Sequence, residues 1–123
     1  MTYAPAILVV DDEPAVRALL LAALEPAGLR LIEAADGPEA IELAFREHPA
    51  IVLLDVGLPR LRGTDVCRAL KTHTPPPAVI LITGNADCDT VADCGADAVI
   101  AKPFDTLALL DDVRSRLAAL AAA

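Results

Sequence analysis

The sequence predicts an open, doubly wound α/β domain, (βα)5, built on a five-stranded parallel sheet. Two observations carry this. Five short apolar runs, Ala6–Asp11, Leu29–Ala34, Ile51–Asp55, Ala78–Thr83 and Ala98–Ala101, start 23, 22, 27 and 20 residues apart. That interval holds one strand and one helix, not the closer spacing of a sandwich. The first, third and fourth runs are almost continuously Val, Ile and Leu. Strands with that pattern are buried on both faces, as in a parallel sheet covered by helices.

The elements follow in order. After the first run, Pro14 sits where proline opens a helix, and Val16, Leu19, Leu20 and Leu24 recur at helical spacing before Gly28. The second run mixes Leu29 and Leu31 with Arg30 and Glu33, as an edge strand does. Asp36-Gly37-Pro38 opens a second helix carrying Ile41 and Phe45, and Thr64–Lys71 forms a third after Gly63. Pro75-Pro76-Pro77 reads as an extended connector into the fourth run. Asp87–Cys94 is expected to form a short fourth helix, weakly patterned, with Val91 its one large aliphatic residue. Asp105 caps a final helix whose Leu107, Leu110, Val113, Leu117 and Leu120 step by 3, 3, 4 and 3.

At 123 residues the chain matches one domain, 1–123, with no further output domain expected. Leu (19), Val (10) and Ile (7) suffice for a core without disulfides or a structural metal. Eighteen acids against ten bases give a net charge of −8. That argues against a direct nucleic-acid partner, which needs a basic stripe, and against an anionic membrane surface. No run has the length of a membrane span, and no secretory signal is expected, since the first residues lack a basic stretch followed by a long apolar one. Cys67, Cys88 and Cys94 lack metal-ligand spacing, and His48 and His73 are far apart. A cytoplasmic protein with reduced thiols is expected.

Sites in open α/β sheets form beyond the carboxyl ends of the strands. There the sequence places Asp11, Asp12 and Glu13 after the first run, Asp55 at the end of the third, Thr83 at the fourth and Lys102 after the fifth. Each has an ordinary role when taken alone. Asp12 could cap a helix, Thr83 could be a strand-end hydroxyl, and Lys102 could be a solvated loop lysine. Their shared end of the sheet points to a site. Three carboxylates within about 5 Å repel by about 3 kcal/mol per pair at an effective dielectric of 20, so a cation belongs among them. All-oxygen ligation suits Mg²⁺. With Lys102 and a divalent ion the pocket is neutral, which suits an incoming phosphoryl group. Asp55 is the better acceptor because Asp11-Asp12 form a chelating pair. Gly57 leaves room beside it and offers a backbone carbonyl.

The segments ILVVDDEP, LLDVGLPRLRG, ILITG and GADAVIAKPF resemble, in order and near spacing, the response-regulator receiver family. The resemblance covers essentially the whole chain. It implies the flavodoxin-like strand order 2-1-3-4-5 and phosphorylation of Asp55 by a histidine kinase or His-phosphotransfer protein. It implies Mg²⁺ held by Asp11, Asp12, Asp55 and the Gly57 carbonyl, with Thr83 and Lys102 on the phosphoryl oxygens. It further implies a Thr83-linked change in the face made by the fourth helix, fifth strand and fifth helix, where a downstream effector protein would bind. The chain departs from the family at Val99, where an aromatic is usual, and in the 19 residues from Thr83 to Lys102, two or three fewer than usual. Two alternatives stay open: an unphosphorylated interaction module, and an aspartyl-phosphate phosphohydrolase, whose usual D-x-D and cap length are missing.

Overall fold

Consecutive apolar residues can all be buried only where helices cover both faces of their strand. That arrangement is present in the computed structural model, which describes residues 5–84 and 94–122. The elements are β1 (Ala6–Val10), α1 (Pro14–Leu24), a 3-10 turn (Glu25–Ala27), β2 (Arg30–Ala34) and α2 (Gly37–Glu47), then β3 (Ile51–Asp55), α3 (Gly63–Leu70), β4 (Ala78–Thr83), β5 (Ala98–Ala101) and α4 (Thr106–Ala122). The strands lie in the order β2-β1-β3-β4-β5, and every pairing is parallel. The helix expected around Asp87–Cys94 lies outside the described residues, apart from Cys94 itself.

Successive side chains of a strand point to opposite faces, and the core divides accordingly. Leu8, Val10, Val52, Leu54, Val79 and Leu81 pack with Ala40 and Ala44 of α2 and Val66, Cys67 and Leu70 of α3. Ile7, Val9, Ile51, Leu53, Ile80 and Ile82 pack with Leu20 and Leu24 of α1 and Leu109 and Val113 of α4. Each buried aliphatic side chain contributes about 1.5–3 kcal/mol of apolar burial. β1 and β3 lie inside the sheet and are buried throughout. β2 and β5 are its edges, and their burial is partial.

The helical phase differs from the expected one at four residues. Leu19, Phe45, Leu107 and Leu120 are exposed, at 50, 62, 73 and 50 %. In α1 the inward line runs Val16–Leu20–Leu24, four residues apart, and leaves Leu19 outside. In α2 the small Ala40 and Ala44 face the sheet, while Phe45 lies against the His73 ring at 4.2 Å between centroids. In α4 Leu109, Leu110 and Val113 are buried, with Leu117 packed beside them.

Side chains close the helix ends as their sequence suggests. Asp36 accepts from the Glu39 amide at 2.9 Å. Asp105 accepts from the amides of Leu107 and Ala108 at 2.8 and 3.2 Å. Lys71, following α3, donates to the Pro77 carbonyl at 2.9 Å and to Asp97 at 2.5 Å. The same Asp97 oxygen accepts from the Val79 amide at 2.7 Å, tying α3 to the starts of β4 and β5.

Candidate functional site

Because β1 and β3 are adjacent and parallel, their carboxyl ends place Asp11 and Asp55 side by side. Asp12 follows Asp11 in the turn before Pro14. Single carboxylate oxygens of Asp11, Asp12 and Asp55 lie within 4.8 Å of one another. Asp11 and Asp55 are buried and Asp12 is exposed. Lys102 enters from the turn after β5, its Nζ 3.4 Å from Asp11 Oδ2 and 3.5 Å from Asp55 Oδ1. Its backbone amide donates to the Thr83 carbonyl at 2.8 Å, so the turn carrying Lys102 is joined to the end of β4. Thr83 is buried there.

Asp11 has a partner for every polar group. Its amide donates to the Ala34 carbonyl at 3.2 Å. Its Oδ1 accepts from the Glu13 amide at 2.9 Å, and its carbonyl accepts from Arg17 Nη1 at 2.8 Å. The residue preceding α1 is Glu13, with no side-chain cap, so the Asp12 carboxylate is not consumed as a helix cap. Asp55 Oδ1 accepts from the Gly57 amide at 3.2 Å. A Cβ on Gly57 would lie 4.0 Å from that same oxygen, which leaves the flank of the carboxylate open.

Burial raises the carboxyl of Asp55 above its ordinary value. The Gly57 amide opposes this, Asp11 and Asp12 add to it, and Lys102 opposes it. For Lys102, burial acts to lower the ammonium value, but the facing Asp55 and Asp11 carboxylates outweigh it and hold the value up. The Lys102 shift reflects the negative charge that faces it, whereas the Asp55 shift is first a matter of burial. The donor set is hard oxygen only, with one ligand atom available from each of three carboxylates, and it fits Mg²⁺.

The structure thus brings together Asp11, Asp12, Asp55, Gly57 and Lys102, with Thr83 at the adjoining strand end. Val99 is not among them. It lies on edge strand β5, opposite Leu81 in register, and is 42 % exposed. Cys67 and Cys94 are buried; burial and the neighbouring Cys94 push the Cys67 thiol up to about 12. Cys67 donates to the Cys94 carbonyl at 3.4 Å.

Sequence reasoning missed the roles of two residues. One is Arg17, whose pairing with the Asp11 carbonyl and Glu33 emerges only once the chain is folded. The other is Gly63, where a Cβ would stand 2.4 Å from the Asp55 carbonyl oxygen and 2.7 Å from Val56 Cα. No L side chain fits there, so this glycine lets α3 start directly against the backbone of the acidic strand end. Its amide donates to the Val56 carbonyl at 3.0 Å.

Comparison with known proteins agrees with this geometry. The response regulator receiver domain family matches residues 7–114. A protein of Porphyridium aerugineum named "Probable transcriptional regulator ycf27" is 40 % identical over 113 residues, covering 90 % of this chain and 47 % of that protein. The chain thus spans about half the length of the curated relatives it matches. A CheY-like receiver domain protein of Methanospirillum hungatei superposes with TM-score 0.85 at 30 % identity, covering 93 % of this chain and 94 % of that one. The signal receiver domain of a signal transduction histidine kinase from Syntrophus aciditrophicus gives TM-score 0.85 at 31 % identity, with 94 % and 92 % covered. The chain belongs to the response-regulator receiver domain family, the CheY-like modules of two-component signalling.

Proposed function

We propose that Asp55 is the phospho-acceptor of this receiver domain and that Mg²⁺ assists the transfer. The observation that carries this is the convergence of three carboxylates on one point, with the Lys102 ammonium 3.5 Å from Asp55 and 3.4 Å from Asp11. Asp11, Asp12 and Asp55 would hold the ion, with the Gly57 carbonyl as a further oxygen. When bound, the ion supplies positive charge that offsets the carboxylates and the phosphoryl oxygens.

The residues then divide the work. An Asp55 carboxylate oxygen attacks phosphorus; the bond from phosphorus to the donor histidine breaks as the new P–O bond forms. Lys102 stays protonated and meets a phosphoryl oxygen, and the Thr83 hydroxyl meets another. The donor is a sensor histidine kinase or His-phosphotransfer protein. The product alters binding of an effector protein. Because Lys102 N–H and Thr83 C=O are joined, movement at either residue reaches both β4 and β5. The −8 net charge disfavours nucleic acid as a direct partner of this domain. Among the described residues no helix is long and apolar enough to cross a membrane.

The test is mass spectrometry after incubation with acetyl phosphate and Mg²⁺. One phosphoryl group should be added to the wild type and none to Asp55→Asn. An unmodified wild type, with unchanged spectra in beryllofluoride, would sink the proposal. A second reading, an interaction module that works unphosphorylated, draws on Val99 in place of the family's usual aromatic. It is favoured if Asp55→Asn binds the effector as the phosphorylated wild type does.

A further inference from the structure

Arg17 lies on α1, one turn beyond the acidic turn, with its side chain 16 % exposed. Its Nη1 donates to the Asp11 carbonyl at 2.8 Å and its Nε to Glu33 at 3.0 Å. One planar guanidinium therefore joins three elements: the end of β1, the first turns of α1 and edge strand β2. We propose that Arg17 is a positioning residue for the metal-binding turn, acting on Asp12 through the peptide between Asp11 and Asp12. This deepens the Mg²⁺ reading above and rests on it.

The reasoning starts from what fixes each carboxylate. Asp11 is held through its amide, its carbonyl and both of its carboxylate oxygens. Asp55 is held by the Gly57 amide and Lys102. The exposed Asp12 accepts no hydrogen bond among the described residues, so its backbone sets the direction of its side chain. The plane of the peptide entering Asp12 carries the Asp11 carbonyl, and Arg17 is the donor on that carbonyl. Without it that carbonyl loses its donor, the peptide plane is held only through the Glu13 and Asp11 amides, and Asp12 shifts with it. Glu33 completes the device from the other side. It occupies Nε, fixes the fork and offsets its charge; as a half-exposed pair it adds little stability of its own.

Charge makes the proposal testable by sign. Arg17 is a cation near a cation site, so a purely electrostatic role predicts tighter Mg²⁺ binding when it is removed. A positioning role predicts weaker binding. Groups that orient metal ligands are commonly worth roughly 10–100-fold in affinity.

The experiment is calorimetric titration of the full chain with Mg²⁺ alone, on wild type, Arg17→Met, Arg17→Lys and Glu33→Gln. Methionine keeps an apolar stem in place of the arginine's. Arg17→Met should bind about tenfold more weakly. Arg17→Lys, which keeps the charge and one donor but not the fork, should fall between it and the wild type. Glu33→Gln should bind within about twofold of the wild type, because Nη1 stays on the Asp11 carbonyl. Equal or tighter binding by Arg17→Met overturns the proposal. If that variant does not fold, Arg17→Lys decides: wild-type affinity overturns the proposal and a loss sustains it. Failure of the wild type itself to bind Mg²⁺ overturns the metal reading instead, and this inference with it.

Discussion

Replacing Asp55 by asparagine should stabilise the metal-free domain. The carboxylate oxygens of Asp11, Asp12 and Asp55 lie within 4.8 Å of one another. At an effective dielectric of 20, each such pair repels by about 3.5 kcal/mol. Lys102 at 3.5 Å from Asp55 returns about 4.7 kcal/mol on the same scale. Asp55 therefore carries net repulsion of about 2 kcal/mol, less after screening of the exposed Asp12. Asparagine keeps an oxygen for the Gly57 amide and removes the charge. Urea titration in chelator at neutral pH should show Asp55→Asn more stable by about 1–2 kcal/mol, a melting shift of roughly 4–8 °C. The pH dependence has a definite sign. The folded carboxyl lies above its ordinary 3.8, so in that window the native state binds more protons than the unfolded chain. Wild-type stability therefore falls as pH rises from the unfolded value through the folded one, and the advantage of the variant should vanish in acid. Mg²⁺ at ten times its Kd should add about 1.4 kcal/mol to the wild type and less to the variant. A variant no more stable than wild type in chelator, or an equal Mg²⁺ gain in both, would refute the reasoning.

The Lys71–Asp97 pair gives the opposite pH sign. Burial acts to raise the Asp97 carboxyl, but hydrogen bonds from Lys71 and the Val79 amide prevail and lower it. Its contribution is present above the unfolded value and lost as pH falls through the folded one; Asp97→Asn should cost about 1 kcal/mol at neutral pH, read by urea titration, and less in acid. Gly63→Ala, with its Cβ aimed at the Asp55 carbonyl, should destabilise by more than about 2 kcal/mol and weaken Mg²⁺ binding together. Leu109→Ala should cost about 2–5 kcal/mol, whereas Leu107→Ala, at an exposed position, should stay within about 0.5 kcal/mol in the same melts. Native-state alkylation followed by peptide mapping should leave Cys67 unmodified, since its buried thiol is held near 12.

Strands were readable in the sequence where apolar runs stop abruptly. β3, β4 and β5 have the bounds that their composition suggested, because Asp55, Thr83 and Lys102 interrupt the apolar pattern at or just beyond their ends. β1 ends one residue earlier than expected, at Val10, although the Asp11 amide still reaches Ala34. Helical phase was less legible. Counting large apolar side chains places Leu19, Phe45 and Leu107 inward, but small residues such as Ala40 and Ala44 make the contact in α2, and hydropathy underweights them. The acidic residues of the site were legible because strand ends in a parallel sheet share one rim. Arg17 was not, because its partner is a backbone carbonyl, and a carbonyl leaves no letter in the sequence. Gly63 was visible as a residue, but the backbone it abuts only appears once the chain is folded.

β5 is fastened at both ends and thinly covered between them. At its start the Asp97 amide donates to Val79 and the Asp97 carboxylate accepts from Val79 and Lys71; at its finish Lys102 donates to Thr83. Its own four residues alternate between half-buried and exposed. Such an arrangement separates the strand's tethering from its packing. Amide hydrogen exchange should then find β5 the least protected strand described, opening at a lower free energy than the buried β1 and β3. Opening it would release only Ala98 and Ile100 from the apolar layer beneath α1 and α4. The sheet therefore has one margin that can yield locally while its centre stays shut, and that margin adjoins the lysine facing the acidic site.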